Sequence, residues 1–375
     1  MFEVLEAYYD EKNDIITNKP GLDLHSHDFG GFEGVAKIVD LFGIQVIASL
    51  DVIINYMLSK GYDQQKNLFA APFDWRLAIS GLRNTTFFDD LKNLCERAFE
   101  LNHVKITILG YSLGGMVLSE FLGNTPEITR EWKERIVEKV IFLAPAFSGS
   151  AATLPISWSK RFPLASFIDS EAIENAIMNM PCLHVLYPNH IVYNGTTVII
   201  KEDNTTLGPE SVPDFFIEHG KLQGNSIKML QKNLYISQKP PADPGVPVLV
   251  LYNSKIQTLK GLDFRKGYNK YPDYIYTDGD GTVSEIATTW GCKNWLRDKA
   301  IICYDFKNGY KDFDHLGLSR NYFSLEIIFN YTNNYDVGQW HKNVRAKNII
   351  APMVWANLTT YIMLDNVRQQ SEVDD

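Results

Sequence analysis

Val104-Lys105-Ile106-Thr107-Ile108-Leu109-Gly110-Tyr111-Ser112-Leu113-Gly114-Gly115-Met116-Val117 is the stretch whose reading decides the fold. Val104, Ile106 and Ile108 alternate in a short β-prone run, which predicts a strand. A Gly-x-Ser-x-Gly pattern follows without a gap. Met116, Val117, Glu120, Phe121 and Leu122 then continue as a helix, with Gly123-Asn124 as its stop signal. A strand that turns sharply into a helix exposes the apex residue above the sheet and aims the next N–H at the reacting carbonyl. Ser112 is therefore the candidate nucleophile, and the Leu113 N–H is a candidate oxyanion donor. Gly110 and Gly114 permit the tight turn and the close packing of helix on strand.

The same texture extends to either side. Leu91, Leu94, Cys95, Ala98 and Phe99 fall at helical spacing between Phe88 and Leu101, and Val140-Ile141-Phe142-Leu143 reads as the next buried strand. Helix, strand, helix and strand joined by short turns predict an α/β fold, a mostly parallel sheet covered by helices on both faces. Strand texture returns at Val248–Tyr252 and at Ala300–Tyr304. Between about Ser148 and Pro247 periodicity weakens and Pro, Asn, Gly and Thr cluster, which predicts an insertion over the sheet. The expected organisation is a first core part at 1–147, a cap or lid at 148–247, and a second core part at 248–375. Leu41 to Leu58 is apolar but interrupted by Gln45, Asp51 and Asn55, and is expected to be an amphipathic or buried helix, not a membrane span.

Composition narrows the function classes. With 36 Lys and Arg against 45 Asp and Glu, the net charge of −9 and the lack of a basic block argue against nucleic-acid binding. A 45% hydrophobic content over 375 residues supports a full core and excludes disorder. Cys95, Cys182, Cys292 and Cys303 are too scattered for a disulfide framework. The first ten residues carry neither a basic nor an apolar leader pattern, while Asn-x-Ser/Thr sequons at Asn84, Asn194, Asn204, Asn330 and Asn357 permit secretion.

A serine hydroxyl needs a base and an orienting acid, and behind a strand–helix elbow these follow in the order Ser, Asp or Glu, His. Of the histidines downstream, His184, His190 and His219 fall in the insertion and His341 in a polar tail. His315 is best placed, in Asp314-His315-Leu316-Gly317 soon after the strand at 300–304. The acid is expected in Thr277-Asp278-Gly279-Asp280-Gly281-Thr282-Val283, which offers Asp278 and Asp280. A calcium loop starting at Asp278 would need Gly at position 6 and Glu at position 12, where the chain has Val283 and Thr289.

Taken together, Phe73-Asp74-Trp75-Arg76, Gly110-Tyr111-Ser112-Leu113-Gly114-Gly115, Gly279-Asp280-Gly281-Thr282-Val283 and Asp314-His315-Leu316-Gly317 resemble the ordered signature of the lecithin:cholesterol acyltransferase family, which includes lysosomal phospholipase A and the phospholipid:diacylglycerol acyltransferases. The resemblance implies an α/β-hydrolase fold with a cap. It implies Ser112 as nucleophile, Asp280 rather than Asp278 as acid, and His315 as base. It further implies acyl transfer from a glycerophospholipid to an alcohol acceptor such as a sterol, or to water, with no cofactor. Peripheral contact with a membrane or lipid particle is implied, as is a secretory or lysosomal type of compartment; Phe147, Trp158 and Phe162 could make that contact, though each reads first as ordinary core. Asp74-Trp75-Arg76 reads as a structural ion pair rather than a headgroup site.

The chain departs from that pattern in two places. Met1 to Tyr9 resembles a segment that follows the family's first strand and its Pro-Gly turn. One sheet strand, the second oxyanion N–H and a leader are therefore expected to be missing, with Phe29-Gly30-Gly31 as a substitute donor. The family cysteine just before the Leu-Tyr of the strand at 248–252 is Val250 here, which leaves Cys292 without its usual partner and Cys303 as an alternative. Two rival classes stand beside the serine enzyme. One is a catalytically impaired relative that binds lipid or a partner. The other is a metallohydrolase using His25, His27 and Asp28, although Phe29 and Gly30 stand where its further Asp and His would be.

Overall fold

The computed structural model describes residues 5–22, 24, 26–36, 38–41, 44–47, 50–161, 171–295, 298–334 and 353–358. His25, Phe162 and His341 lie outside these residues. In chain order the strands are β1 (Ala7–Asp10), β2 (Ile15–Asn18), β3 (Ile38–Leu41), β4 (Ile44–Ile47), β5 (Leu68–Phe73), β6 (Ile106–Tyr111), β7 (Val137–Leu143), β8 (Ile199–Ile200), β9 (Thr206–Leu207), β10 (Val248–Tyr252), β11 (Ile256–Asp263), β12 (Asp273–Gly279), β13 (Ile301–Asp305) and β14 (Met353–Leu358).

The main sheet runs β13-β10-β7-β6-β14-β5, and every neighbouring pair is parallel. Its strands read as unbroken apolar runs because both faces are buried. Phe69, Ala71, Ile106, Ile108, Val140, Phe142, Val248 and Val250 pack on one side against the helices Phe87–Asn102 and Leu113–Asn124. The alternate residues Leu68, Ala70, Leu109, Tyr111, Ile141, Leu143, Leu249 and Leu251 pack on the other against Asp51–Ser59 and Tyr322–Thr332. This is the α/β-hydrolase fold: a parallel sheet between two helical layers, with the strand–helix elbow at its centre. No helix among the described residues is long and apolar enough to cross a membrane.

Two expectations are corrected. Of the described residues within Leu41 to Leu58, only those from Asp51 onward are helical. The β-branched positions before it, Ile38, Val39, Ile44, Val46 and Ile47, lie in the antiparallel hairpin β3–β4. The missing sheet strand is also supplied. β14, near the other end of the chain, lies between β5 and β6, so the sheet has no gap beside β6.

A second sheet, β12-β11-β8-β9, joins short strands of the 148–247 segment to the hairpin β11–β12 that follows it. It shares a core with Trp158, whose ring lies 4.3 Å from Phe264 and 5.7 Å from Phe215. Aromatic burial, not periodicity, organises this region. Trp158 and Phe147 are each nearly fully buried, Phe147 against Phe142 and Trp295. Neither is placed to touch a lipid surface. Cys292 and Cys303 form a disulfide that ties the helix Trp290–Asn294 to β13, and Cys95 and Cys182 are free and buried.

Arg76 is fully buried and paired with Asp74, donating from Nε to Oδ1 at 2.9 Å. Its terminal nitrogens reach Asn18 Oδ1 at 2.6 Å and the Glu6 carbonyl at 3.5 Å. The Asp74-Trp75-Arg76 motif is thus the clamp that fastens the β1–β2 region to the core. Nearby, burial in the helix Pro181–Val185 pushes His184 down to about 4, against a weaker pull from the Met178 carbonyl. The unfolded chain therefore takes up this proton first as the pH falls. The stabilisation is complete above about pH 6.5 and is lost progressively toward pH 4, by about 3 kcal/mol. Urea unfolding at pH 7 and pH 4.5 is expected to show an acid loss in the native chain that is about 2–3 kcal/mol smaller in His184→Leu.

Candidate active site

β6 ends at Tyr111, the helix Leu113–Asn124 begins two residues later, and Ser112 between them has φ 54° and ψ −124°. A positive φ is costly for a non-glycine residue and persists only where its surroundings over-determine it. Here they do: the Ser112 N–H donates to the Leu143 carbonyl at 3.1 Å, and its carbonyl accepts from Gly115 and Ala146, both at 3.0 Å. A Cβ on Gly110 would stand 2.8 Å from the Gly114 carbonyl oxygen, and one on Gly115 would stand 2.7 Å from Pro145 Cβ. Glycine at these positions lets the helix sit directly on the strand and fixes the half-exposed Ser112 at the apex.

Ser112, His315 and Asp280 meet although they are far apart in sequence. Ser112 Oγ is 2.9 Å from His315 Nε2, and His315 Nδ1 is 2.8 Å from Asp280 Oδ2. An ionised carboxylate can only accept, so Nδ1 carries the proton and Nε2 presents its lone pair to the Ser112 hydroxyl. Asp280 and His315 are only 1% and 6% exposed, which shields their interaction from water. The other Asp280 oxygen accepts from the N–H groups of Val283 at 2.7 Å and Thr282 at 3.0 Å. Asp278 is exposed on β12 and does not join the cluster. The difference arises because Asp280 lies just past the end of β12, where the chain turns inward with Gly281 at φ 92°.

Two further residues hold His315, and neither stood out in the sequence. Tyr111 donates its hydroxyl to the His315 carbonyl at 2.9 Å and stacks on the imidazole at 5.3 Å. Burial, and next the charge of Asp280, push the Tyr111 phenol up, so it remains a neutral donor. Its signal was its place as the variable residue inside the Gly-x-Ser-x-Gly motif. Asn253, just past β10, donates to the carbonyls of Asn308 and Phe313 at 2.6 and 2.9 Å and so ties down the loop that delivers His315. The Leu113 N–H is the first of its helix and has no carbonyl one turn earlier to bond. It is thereby available above the elbow.

The metal alternative gains no cluster. His27 Nε2 lies 3.1 Å from Glu33 and the Asp28 carboxylate accepts the Glu33 N–H at 2.9 Å, with His25 outside the described residues. Among the described residues no three His, Cys, Asp or Glu side chains converge as a metal site requires. The substitute oxyanion segment is misplaced. Gly30 and Gly31 give their N–H groups to the carbonyls of Ala70 and Asp28, at 2.8 and 2.9 Å. Gly30 flanks β5 on the side away from β14, so about three strand spacings, roughly 14 Å, separate it from β6.

Comparison with known proteins adds a family. The chain is 23% identical over 278 residues to the bovine lysosomal phospholipase A and acyltransferase, which covers 73% of this chain and 65% of that protein. It is 26% identical to lecithin-cholesterol acyltransferase-like 1 of Arabidopsis thaliana, over 74% of this chain and 65% of the relative. It is 25% identical to the Gallus gallus phosphatidylcholine-sterol acyltransferase, over 75% and 65%. The matched region thus spans about two-thirds of the length of each relative, just under that fraction. The family model described as lecithin:cholesterol acyltransferase matches residues 1–206, more than half of the sequence, and the chain belongs to that family.

Proposed function

We propose that this chain is a serine acyltransferase or phospholipase of lipid metabolism, acting through an acyl-serine intermediate. The observation that carries the reading is the continuous relay from Ser112 Oγ through His315 to buried Asp280. His315 Nε2 takes the Ser112 proton as Oγ attacks the ester carbonyl of a glycerophospholipid. The negative oxygen of the tetrahedral intermediate is met by the Leu113 N–H. Collapse breaks the ester bond, and the imidazolium returns the proton to the leaving lysophospholipid alcohol. An acceptor alcohol, or water, then gives its proton to His315 and attacks the acyl-serine; the acyl–Oγ bond breaks, the imidazolium returns the proton to Ser112 Oγ, and an ester or a fatty acid is released. Asp280 keeps its charge throughout and stabilises the transient imidazolium. The lipid acyltransferase and phospholipase names of the relatives support the substrate class.

The lipid contact this reading needs is assigned to exposed tyrosines, since Phe147 and Trp158 are buried and Phe162 lies outside the described residues. Tyr271, Tyr274 and Tyr276 are exposed on and beside β12, the strand that leads to Asp280. The test is incubation of the chain with phosphatidylcholine vesicles, with and without a sterol. The expected products are lysophospholipid with fatty acid, and a sterol ester where the sterol serves as acceptor. In Ser112→Ala both are expected to fall at least about 1000-fold. Cleavage of short soluble esters alone, with phospholipid untouched, would instead make the chain a carboxylesterase.

A further inference from the structure

β14 reaches the centre of the sheet from the far end of the sequence. It is parallel to both neighbours, with Met353 to Leu358 in register with Leu68 to Phe73 of β5, and Met353 to Ala356 with Thr107 to Gly110 of β6. A strand parallel to β6 ends at the same edge of the sheet as Ser112. The direction of its N–H groups follows from one hydrogen bond: Met353 donates to the Asn67 carbonyl, on the β5 side, at 2.9 Å. Successive N–H groups of a strand point to opposite sides, so those of Val354, Ala356 and Leu358 turn toward β6. Pairing with β6 stops at Ala356 opposite Gly110. Continued by two residues, the same register would set Leu358 beside Ser112, which lies one residue past the end of β6.

In hydrolases built on such an elbow, the oxyanion hole combines the N–H after the nucleophile with one from the end of a neighbouring strand. We propose that β14 takes this position here and that the Leu358 main-chain N–H is the second oxyanion donor, complementing Leu113. The inference rests on the serine acyl-transfer reading. It also accounts for a strand that closes the gap beside β6 while Gly30 and Gly31, the other backbone donors considered, are committed elsewhere.

The test deletes one hydrogen. Nonsense suppression replaces Leu358 with leucic acid, its α-hydroxy counterpart, so that an ester oxygen stands where the N–H was. The same exchange at Asn357, whose N–H turns to β5, is the control for strand integrity, and thermal unfolding is followed for both. Loss of an oxyanion donor is expected to cost about 100- to 1000-fold in kcat for p-nitrophenyl ester acylation. KM should stay within about threefold, and the Asn357 ester within about fivefold of the native rate, if the effect is confined to transition-state binding. A Leu358 ester that keeps kcat within about threefold of native, or an Asn357 ester that slows as much, would overturn the assignment. If the native chain forms no Ser112 adduct, the acyl-transfer reading itself falls and takes this one with it. A native chain that acylates while position 358 is indifferent overturns only the Leu358 role.

Discussion

Asp280→Asn is expected to lower the rate of acyl-serine formation by about 10,000-fold while leaving the fold intact. The amide oxygen can still accept the N–H groups of Thr282 and Val283 that anchor this turn, now bonded at 3.0 and 2.7 Å. What changes is the imidazole. A carboxylate at 2.8 Å from His315 Nδ1 forces the proton onto Nδ1 and leaves Nε2 free to take the Ser112 proton. An amide can donate its N–H instead, which favours the tautomer with the proton on Nε2, where it blocks the base. The charge that stabilises the imidazolium is lost as well. Burst kinetics with a p-nitrophenyl ester, beside the thermal unfolding curve of each protein, would measure the effect. A fall of less than about tenfold would mean that Asp280 does not orient the base, since a wrong tautomer costs far more than that.

Arg76→Met is expected to destabilise the chain by about 3–5 kcal/mol, the usual cost of leaving one partner of a buried ion pair uncompensated. Arg76 and Asp74 are 0% and 6% exposed, so water cannot replace the lost partner. The guanidinium also reaches Asn18 and the Glu6 carbonyl, so its loss loosens the β1–β2 region as well. Arg76→Lys keeps the charge but not the planar fork that bonds several acceptors at once, and is expected to recover only part of the stability. The double variant Asp74→Leu/Arg76→Met should regain much of what Arg76→Met loses, because no lone charge remains buried. Urea unfolding midpoints measure all three. Catalysis by the folded fraction of Arg76→Met should remain near native, as the clamp does not touch the Ser112 relay.

The elbow was legible because its information is local. Alternation at Val104, Ile106 and Ile108, glycines at two fixed spacings and a helical stripe after Ser112 each constrain only near neighbours, and β6 and the helix Leu113–Asn124 follow them. The parallel sheet was legible for a similar reason, since runs such as Val248–Tyr252 are apolar at every position only when both faces are covered. Motif order pointed to His315 and left Asp278 and Asp280 open, and only the family resemblance favoured Asp280, because the meeting of acid and imidazole across 35 residues of chain is tertiary.

β14 was not legible. Met353-Val354-Trp355-Ala356 is a short apolar run of a kind that occurs by chance, and which neighbours it pairs with depends on a gap left by distant strands. The region from Leu41 to Leu58 misled because a short apolar run fits strand or helix equally, and Ile44–Ile47 within it pairs as a strand with Ile38–Leu41. Trp158 and Phe147 read first as core and only second as surface contacts, because aromatic residues serve cores and interfaces alike. Their burial follows from Phe264, Phe215, Phe142 and Trp295, which close around them from other parts of the chain.

The most direct test of the account is fluorophosphonate labelling of the purified 375-residue chain, mapped by peptide mass spectrometry. The reagent phosphonylates only a serine whose hydroxyl is activated by a base and whose adduct oxygen is held by an oxyanion site, so it reads the assembled relay without needing the natural substrate. The account predicts one modified peptide, carrying the label on Ser112, and its loss in Ser112→Ala. A folded protein that stays unlabelled, or one labelled equally in Ser112→Ala, would contradict it.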